Sequence, residues 1–346
     1  MPPTHSAALS INPLNAIKDP VRPLTSAELT VFCKATAEGL RLNVLRALKN
    51  ESFGVTELCH IFNTAQPGMS HHLKALLAAG LVATRREGNS IFYRRAIINN
   101  THPLAELTSA LFGTVDKLNL LTDVEQRLRQ VYSDRAQRSR EFFDKTADKF
   151  SENQELITDF SQYASPVLDL LSNEHLPAKS HVLEVGPGNS ELLKELAARF
   201  ELVVAMDNSA PMLARAKSQL GNKPAKNIEF RHSDLEHVPQ HDRERGPEFH
   251  LVVLNMVAHH LASPTLAFTS AKQMLHPGGC LLVVDLCPHD QDWTRDACGD
   301  LWLGIEPEDL DKWAVENGLT TGQSLYLGLK NGFQVQARLY HKPLKH

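Results

Sequence analysis

The stretch HVLEVGPGNSELLKELAARF, residues 181–200, constrains the fold more than any other part of the chain. Its first apolar residues predict a buried strand, Gly186-Pro187-Gly188 predicts a sharp turn, and the remainder has helical periodicity. Four further segments contain strands that alternate with helices: LVVAMD, IEFRHSDLEHVP, HLVVLNMVAHHL and LHPGGCLLVVDL. Five strands alternating with helices predict an α/β domain with an open, mostly parallel sheet.

The glycine turn predicts a ligand site, because glycines between a strand and a helix let a ligand approach backbone N–H groups. A dinucleotide fingerprint needs Gly or Ala at position 191, where this chain has Glu191, whose charge would repel a pyrophosphate. Glu184, two residues before Gly186, suits a cationic ligand without phosphate. S-adenosylmethionine belongs to that class.

Two carboxylates after later strands fit the same ligand. Asp207 lies 21 residues after Gly186, where a carboxylate would hold a ribose, and Asp234 suits an adenine amino group. With FFDKTADKF before the strands and the LHPGG turn, residues 142–346 resemble the class I S-adenosylmethionine-dependent methyltransferases, although Ser190 replaces the family's third glycine.

That resemblance implies a Rossmann-like fold closed by an antiparallel hairpin that turns at Asn331-Gly332. It also implies that the domain binds S-adenosylmethionine or S-adenosylhomocysteine. The residues expected to bind this cofactor are Glu184, Gly186, Pro187, Gly188, Asp207, Asn208, Met212, Asp234, Leu235 and Asn255.

Catalysis stays open at this level. Methyl transfer needs little beyond an aligned nucleophile, since the sulfonium is already electrophilic. His259 and His260, after the fourth strand, are candidate general bases, and His289 and Asp290 are alternatives. A packing or surface role accounts better than catalysis for a histidine at any one of these positions.

A second, smaller domain is predicted by VTELCHIFNTAQPGMSHHLKALLAAGLVATRREGNSIFYRR, residues 55–95. VTELCHIF and MSHHLKALLAA have helical periodicity, and the second helix has Leu73, Leu76 and Leu77 as its inward stripe. LVATRR and SIFYRR alternate like strands around the turn EGNS. Helix, turn, helix and hairpin in this order predict an α+β winged helix-turn-helix domain that binds DNA.

Residues 28–98 resemble the core of the ArsR/SmtB family of dimeric bacterial repressors, which implies binding to double-stranded operator DNA. The recognition helix and the wing would contact DNA through Gln66, Ser70, His71, His72, Lys74, Arg85, Arg86 and Tyr93. Residues 102–121 contain an apolar stripe that could pack on its own domain. In the family the equivalent helix pairs two subunits, so we expect a homodimer through this segment.

No metal site is expected from the sequence. The arsenic-type site needs a Cys-x-Cys, but Ile61 stands where a second thiolate would follow Cys59, and the zinc-type site lacks a partner for His102. The five cysteines are scattered, without a CxxC, so a disulfide framework is not indicated either.

Charge and hydropathy support a cytoplasmic DNA-binding protein. Residues 25–98 carry nine basic and five acidic side chains, a net charge of +4. Since the net charge of the whole chain is −4, the rest of the chain carries −8. No apolar run is long enough to span a membrane, and no signal pattern is present. We expect an N-terminal extension (1–24), the winged helix-turn-helix domain (25–98), dimerisation and linker helices (99–141) and the methyltransferase-like domain (142–346).

Three functions fit this organisation. The first is an ArsR-type regulator whose methyltransferase-like domain senses its ligand and couples it to operator binding. The second is an active methyltransferase of a small-molecule acceptor that also regulates its own genes. The third, methylation of DNA or protein, is disfavoured for DNA because NMVAHH lacks the aromatic Pro-Pro-Tyr-like turn expected for methylation of base amino groups.

Overall fold

The structure is a computed structural model that describes residues 23–177, 179–189, 191–221, 225–235 and 249–344. Residues 1–22, which are most of the predicted N-terminal extension, therefore lie outside the described residues. So does Ser190, the serine at the position of the family's third glycine. Among the helices that are described, none has the length and apolar character required to cross a membrane.

The N-terminal domain is a winged helix-turn-helix, as predicted. Its elements are α1 (Ser26–Thr36), α2 (Gly39–Ala47), β1 (Phe53–Gly54), α3 (Val55–Phe62), α4 (Gln66–Ala78), β2 (Val82–Glu87) and β3 (Ser90–Arg95). The strands form an antiparallel sheet in the order β1-β3-β2. Asn63, in the left-handed conformation, ends α3, and Pro67 occupies the first turn of α4, where its missing N–H costs nothing.

The inward stripe of α4 differs from the prediction at one position. Leu73 and Leu76 are fully buried, but Leu77 is 43% exposed, and Met69 fills the third buried position instead. Positions 69, 73 and 76 follow the spacing of four and three residues that keeps side chains on one helix face. The assignment of Leu77 to the core was therefore wrong.

Two helices connect the domains, α5 (Ala105–Val115) and α6 (Thr122–Thr146). The predicted apolar stripe around α5 is divided: Leu104 and Val115 are buried in the N-terminal core, whereas Leu107 is 42% exposed and Leu118 36%. Part of the stripe thus packs on its own domain and part remains accessible.

The C-terminal domain has the predicted Rossmann-like fold. Its elements are α7 (Phe150–Glu155), α8 (Ala164–Asn173), β4 (His181–Val185), α9 (Glu191–Arg199), β5 (Leu202–Asp207), α10 (Ala210–Gln219), β6 (Ile228–His232), β7 (Phe249–Asn255), α11 (Pro264–Met274), β8 (Leu275–Leu286), α12 (Thr294–Cys298), α13 (Pro307–Glu316), β9 (Thr320–Gly328) and β10 (Gln334–His341).

The strands form one sheet in the order β6-β5-β4-β7-β8-β10-β9. The first five are parallel, and β10 and β9 add the predicted antiparallel hairpin, whose turn contains Gly332 with a φ of 91°. From β4 the chain adds β5 and β6 on one side of the sheet and then returns to add β7 on the other side, so the strand order reverses between β4 and β7. A crevice at the carboxyl ends of strands at such a reversal is where open α/β sheets bind ligands.

The two domains contact each other directly. The Ser263 hydroxyl at the start of α11 donates a hydrogen bond to the buried carboxyl group of Glu51 in the N-terminal domain. Next to it, the Thr265 hydroxyl donates to the Asn50 carbonyl oxygen over 2.7 Å. Hydrogen bonds between buried groups hold a particular relative position of the two domains.

Candidate functional sites

The turn after β4 requires glycine. Gly186 has a φ of 62°, and a Cβ atom built on it would lie 2.6 Å from a methyl carbon of Val257. Gly188 also has a positive φ, 51°. The chain can therefore pass close under a ligand at this point, and a side chain at position 186 would both strain the backbone and displace Val257.

Two neighbouring cavities lie at this turn, of about 80 and 220 Å³, and both are lined by Gly186 and Met256. The smaller cavity is also lined by the predicted residues Asp207, Asn208, Met212, Asp234 and Leu235. The larger is lined by Pro187, Gly188 and Asn255 of the predicted set. The crevice at the strand ends thus brings together nine of the ten residues expected to bind a cofactor.

The tenth, Glu184, lies beneath the turn and does not line either cavity. It is 1% exposed, and within the described part of the chain its Oε2 atom has no hydrogen-bond partner. Burial raises its pKa to about 8. A carboxyl group in this setting is stabilised by a nearby positive charge or donor, which a cationic ligand would supply.

Asp207 is a second carboxyl group of the site whose pKa is raised by burial. Burial raises its pKa to about 6, although the backbone N–H of Ser209 donates to its carboxylate over 2.9 Å. A carboxylate that accepts hydrogen bonds at the end of β5 is suited to a diol.

Helix α6, predicted from the sequence to be a connecting helix, also contributes to this site. Ala136, Ser139 and Phe143 of α6 line the smaller cavity. The Ser139 hydroxyl donates to the His260 carbonyl oxygen over 3.0 Å, and the Asp144 carboxylate accepts from the Ser209 hydroxyl over 2.6 Å. Small and aromatic residues spaced three and four apart on a charged helix were the signal that could have identified this face.

Of the two predicted bases, His259 is buried away from the cavities' surface. Its Nδ1 atom lies 2.7 Å from Asp285 Oδ1. Burial alone would lower its pKa, but the Asp285 and Asp300 carboxyl groups outweigh burial and raise the pKa to about 9. An imidazole that is protonated at neutral pH cannot accept a proton, so this state does not suit a general base.

His260 reaches the smaller cavity. Burial and the adjacent charge of His259 hold its pKa well below the usual range, so the ring is neutral. The alternative base His289, whose pKa is lowered to about 4 mainly by burial, and Asp290 line neither of the two cavities.

The recognition helix α4 presents most of its predicted DNA contacts to solvent. Gln66, Ser70, His71 and Lys74 are exposed. His72 is partly buried, and its Nδ1 atom lies 3.2 Å from Glu38 Oε2. Four of the five predicted residues on this helix are thus accessible to a DNA major groove.

The wing, β2 and β3, has one face covered by the C-terminal domain. Arg85 Nη2 lies 2.5 Å from Glu87 Oε1, and Arg85 Nη1 donates to the Gly304 carbonyl oxygen over 3.4 Å. The guanidinium carbon lies 5.6 Å from the centre of the Trp302 ring. Of the predicted wing contacts, Arg86 is exposed, Tyr93 is partly buried against the N-terminal core, and Arg85 is engaged by the other domain.

Glu87 is central to this wing contact. It is 2% exposed, and its Oε2 atom accepts from Arg295 Nη2 over 2.6 Å and from the Leu303 backbone N–H over 2.8 Å. Arg94 adds an ion pair with Asp309 at 3.2 Å. The sequence carried no signal for the contacts between domains, because their partners in the C-terminal domain lie more than 200 residues away along the chain.

Comparisons with known proteins match both parts. Residues 39–84 match the family described as "Bacterial regulatory protein, arsR family", and residues 183–283 match "Methyltransferase domain". An uncharacterized methyltransferase of Mycobacterium tuberculosis is 34% identical over 105 residues, which are 30% of this chain and 49% of that protein.

Two regulators are similar to the chain as well. The HTH-type transcriptional regulator KmtR of Mycobacterium tuberculosis is 37% identical over 77 residues, 22% of this chain and 57% of that protein. The arsenical resistance operon repressor of Staphylococcus aureus is 34% identical over 67 residues, 19% of this chain and 64% of that protein. The chain thus spans between about half and two thirds of the length of these relatives. The matches agree with the two folds: the N-terminal part of the chain is similar to bacterial regulatory proteins of the arsR family, and the C-terminal part is similar to methyltransferase domains.

Proposed function

We propose that the protein is a transcriptional regulator whose methyltransferase domain binds S-adenosylmethionine or S-adenosylhomocysteine and couples this binding to operator DNA. The observation that carries the proposal is the position of α6, which both lines the ligand cavity and contacts the DNA-binding domain.

Arg135 of α6 makes the contact with the DNA-binding domain. Its Nε and Nη2 atoms lie 2.8 and 2.6 Å from the two carboxylate oxygens of Glu57 on α3, and Nη2 also donates to the Ser52 carbonyl oxygen over 3.0 Å. A bidentate arginine–carboxylate pair fixes the relative orientation of the two side chains and also stabilises the contact. The next residue, Ala136, lines the ligand cavity.

A ligand in the cavity and the helix-turn-helix therefore contact the same helix, at residues that begin next to Arg135 and end about two turns from it. If the ligand favours one of two positions of α6, it changes operator affinity by the difference in its own affinity for the two, typically about 1 to 3 kcal/mol. A coupling of this size is sufficient for a genetic switch.

Ligand identity is supported by the charges of the site. The buried carboxyl groups of Glu184 and Asp207 favour a ligand with an ammonium group and hydroxyl donors, and the glycine turn admits it without a phosphate. Both S-adenosylmethionine and S-adenosylhomocysteine carry these groups.

We further propose that the regulator is a homodimer through the face formed by α1 and α5. Val31, Leu77, Ile97 and Leu107 are each 41–44% exposed there, and a groove of about 510 Å³ lies among the same elements. A two-fold dimer would bury this apolar surface and present two α4 helices to a palindromic operator.

A second candidate function is methylation of a small-molecule acceptor. The observation that favours it is the neutral ring of His260 in the cavity lining. The two functions are compatible, since an active enzyme can also regulate its own genes.

Titration calorimetry tests the proposal. The full chain is titrated with S-adenosylmethionine and with S-adenosylhomocysteine, each with and without promoter DNA from upstream of its own gene. We expect an affinity that differs about fivefold or more in the presence of DNA. Tight ligand binding that DNA leaves unchanged would contradict the coupling and favour the enzyme, and product formation with candidate acceptors would then be assayed.

Glu184 gives the same experiment a pH signature. A ligand ammonium near this carboxyl group would lower its pKa from about 8, so binding at neutral pH would release a proton and affinity would rise with pH until about pH 8. Glu184→Gln should remove this pH dependence, whereas the exposed Glu201→Gln should retain it. A wild-type affinity independent of pH between 6 and about 8 would exclude this role of Glu184.

A further inference from the structure

A cluster of three side chains lies where the turn after β7 meets the segment after α12. Atoms of His259, His260 and Asp300 that can bind a metal ion all lie within 4.8 Å of one another. Asp300 Oδ1 is 3.7 Å from His259 Nε2 and 3.8 Å from His260 Nδ1. His259 and Asp300 are buried, and His260 is half-buried beside the ligand cavity.

The spacing of these atoms is too long for direct hydrogen bonds and suits a bound ion. A charge-assisted hydrogen bond between imidazolium and carboxylate would bring N and O to about 2.7 to 2.9 Å. A triangle with these two sides and a third side of about 3 Å up to 4.8 Å instead has a point about 2.0 to 2.4 Å from each corner, a range that includes the bond lengths of about 2.0 to 2.2 Å that zinc makes with imidazole nitrogen and carboxylate oxygen.

Asp300 supplies an independent observation. It is 3% exposed, and among the described residues neither carboxylate oxygen has a hydrogen-bond partner within bonding geometry. The nearby Thr294 hydroxyl donates a hydrogen bond to the Gln291 carbonyl oxygen over 3.1 Å. A buried carboxylate is costly unless a positive charge compensates it. The imidazolium of His259 supplies such a charge, and a metal ion bound between the two groups would supply it instead while the imidazole releases its proton.

The surroundings of His259 match those of a metal ligand. Its Nδ1 atom is held by Asp285 Oδ1 at 2.7 Å, which leaves Nε2 directed to Asp300. Asp285 itself accepts from the backbone N–H groups of Leu286 at 2.7 Å and His259 at 3.3 Å. Imidazoles that bind metals usually have their second nitrogen held by such a carboxylate, which orients the ring.

We propose that His259, His260 and Asp300 form a binding site for a divalent transition-metal ion of the zinc type. Two imidazoles and one carboxylate provide three ligands, and His260 places the site beside the cavity that it also lines. His260 would give up its 3.2 Å contact with the Gly299 carbonyl oxygen if it binds through Nδ1. The site lies in the C-terminal domain, apart from Cys59 and His102 of the arsenic-type and zinc-type positions, and it does not depend on the proposed regulatory function.

The test uses Zn²⁺ and the full chain after treatment with a chelator. We expect about one Zn²⁺ per chain in competition with a chromophoric chelator, and a higher unfolding temperature with Zn²⁺ than without. Asp300→Asn should weaken binding at least tenfold and remove the thermal shift, while the nearby exposed Asp290→Asn should behave like wild type. Asp285→Asn, which changes only the residue that positions His259, should weaken affinity about 10- to 100-fold.

A spectroscopic readout separates a metal site from a purely structural ion pair. With Co²⁺ in place of Zn²⁺, a site with these ligands gives visible absorption bands in the wild type and in Asp290→Asn that disappear in Asp300→Asn. Equal Zn²⁺ binding and equal spectra in the wild type and Asp300→Asn would overturn the proposal, even if Asp300→Asn were less stable.

Discussion

The recognition helix α4 and the wing β2–β3 belong to one DNA-binding domain, but they have different surroundings. His71 and Lys74 of α4 are exposed, whereas Arg85 of the wing is held between Glu87, the Gly304 carbonyl oxygen and the Trp302 ring. The neighbouring Arg86 projects from the other face of β2 and is exposed. One half of the expected DNA footprint is therefore open, and the other half is shared with the methyltransferase domain.

This difference indicates how the methyltransferase domain can affect DNA binding directly, through its contact with the wing. A basic residue bound to an internal carboxylate must exchange that partner for a phosphate before it can contribute to DNA binding. The wing is thus the element at which docking of the methyltransferase domain and docking on DNA would compete. The predictions below test that competition, beginning with the largest expected effect.

Substitutions in the exposed recognition helix α4 should have the largest effect on operator affinity. The double substitution His71→Ala and Lys74→Ala should weaken operator binding about 10- to 100-fold, because it deletes base-edge and phosphate contacts of the recognition helix. Fluorescence anisotropy with labelled operator measures this, with Lys330→Ala in the distant β9–β10 turn as a control for loss of positive charge. Ligand affinity should be unaffected, and unchanged DNA affinity would refute the assignment of α4.

Release of the wing should strengthen DNA binding. Glu87→Gln removes the anion that pairs with Arg85 and Arg295, so the docked position loses about 1.4 kcal/mol or more and operator affinity should rise about tenfold. The same anisotropy assay measures it, with Glu201→Gln as the control and circular dichroism to verify folding. If operator affinity falls or stays constant in a folded variant, docking and DNA binding do not compete.

The adjacent arginines of β2 provide a matched pair. Arg86→Ala should weaken operator binding about fivefold and lower the salt dependence by about one unit, since it loses a phosphate contact. Arg85→Ala should change affinity less than about twofold, because this side chain is already occupied. If Arg85→Ala weakened operator binding more than Arg86→Ala, the face of the wing that contacts the C-terminal domain would be the face that contacts DNA.

The pH dependence of docking should be the smallest effect. Burial raises the pKa of Glu51 to about 7, although Ser263 and Arg135 counteract part of this. An undocked Glu51 ionises near its ordinary value of 4.5, so the docked state binds more protons, and docking weakens as pH rises from about 5 to 7 and is constant above. This linkage changes the docking equilibrium about 20-fold between pH 5.5 and 7.5, and where only part of the change reaches DNA binding, operator affinity should gain about two- to threefold beyond the change in Glu51→Gln. Identical pH profiles for the wild type and this variant would contradict this.

Both folds could be predicted from the sequence because their signals are local. The glycine turn at 186–188, the alternation of strands and helices, and the basic hairpin after a polar helix each occupy short segments whose periodicity reports burial. The residues expected around the ligand follow from the same rule, since the carboxyl ends of adjacent parallel strands meet at one edge. Leu77 was placed wrongly because a helical stripe of three leucines does not show which one lies at its margin.

Side chains from distant segments could not be predicted in this way. Asp300 meets His259 and His260, Arg135 meets Glu57, and Glu87 meets Arg295, and in each pair neither partner carries a local pattern that names the other. The sequence by itself determined a winged helix-turn-helix joined to a methyltransferase fold and the strand ends that form its cavity. Only the tertiary structure decided that α6 lines that cavity and that the wing is docked, because contacts between domains depend on how two finished surfaces fit, which no periodicity along the chain encodes.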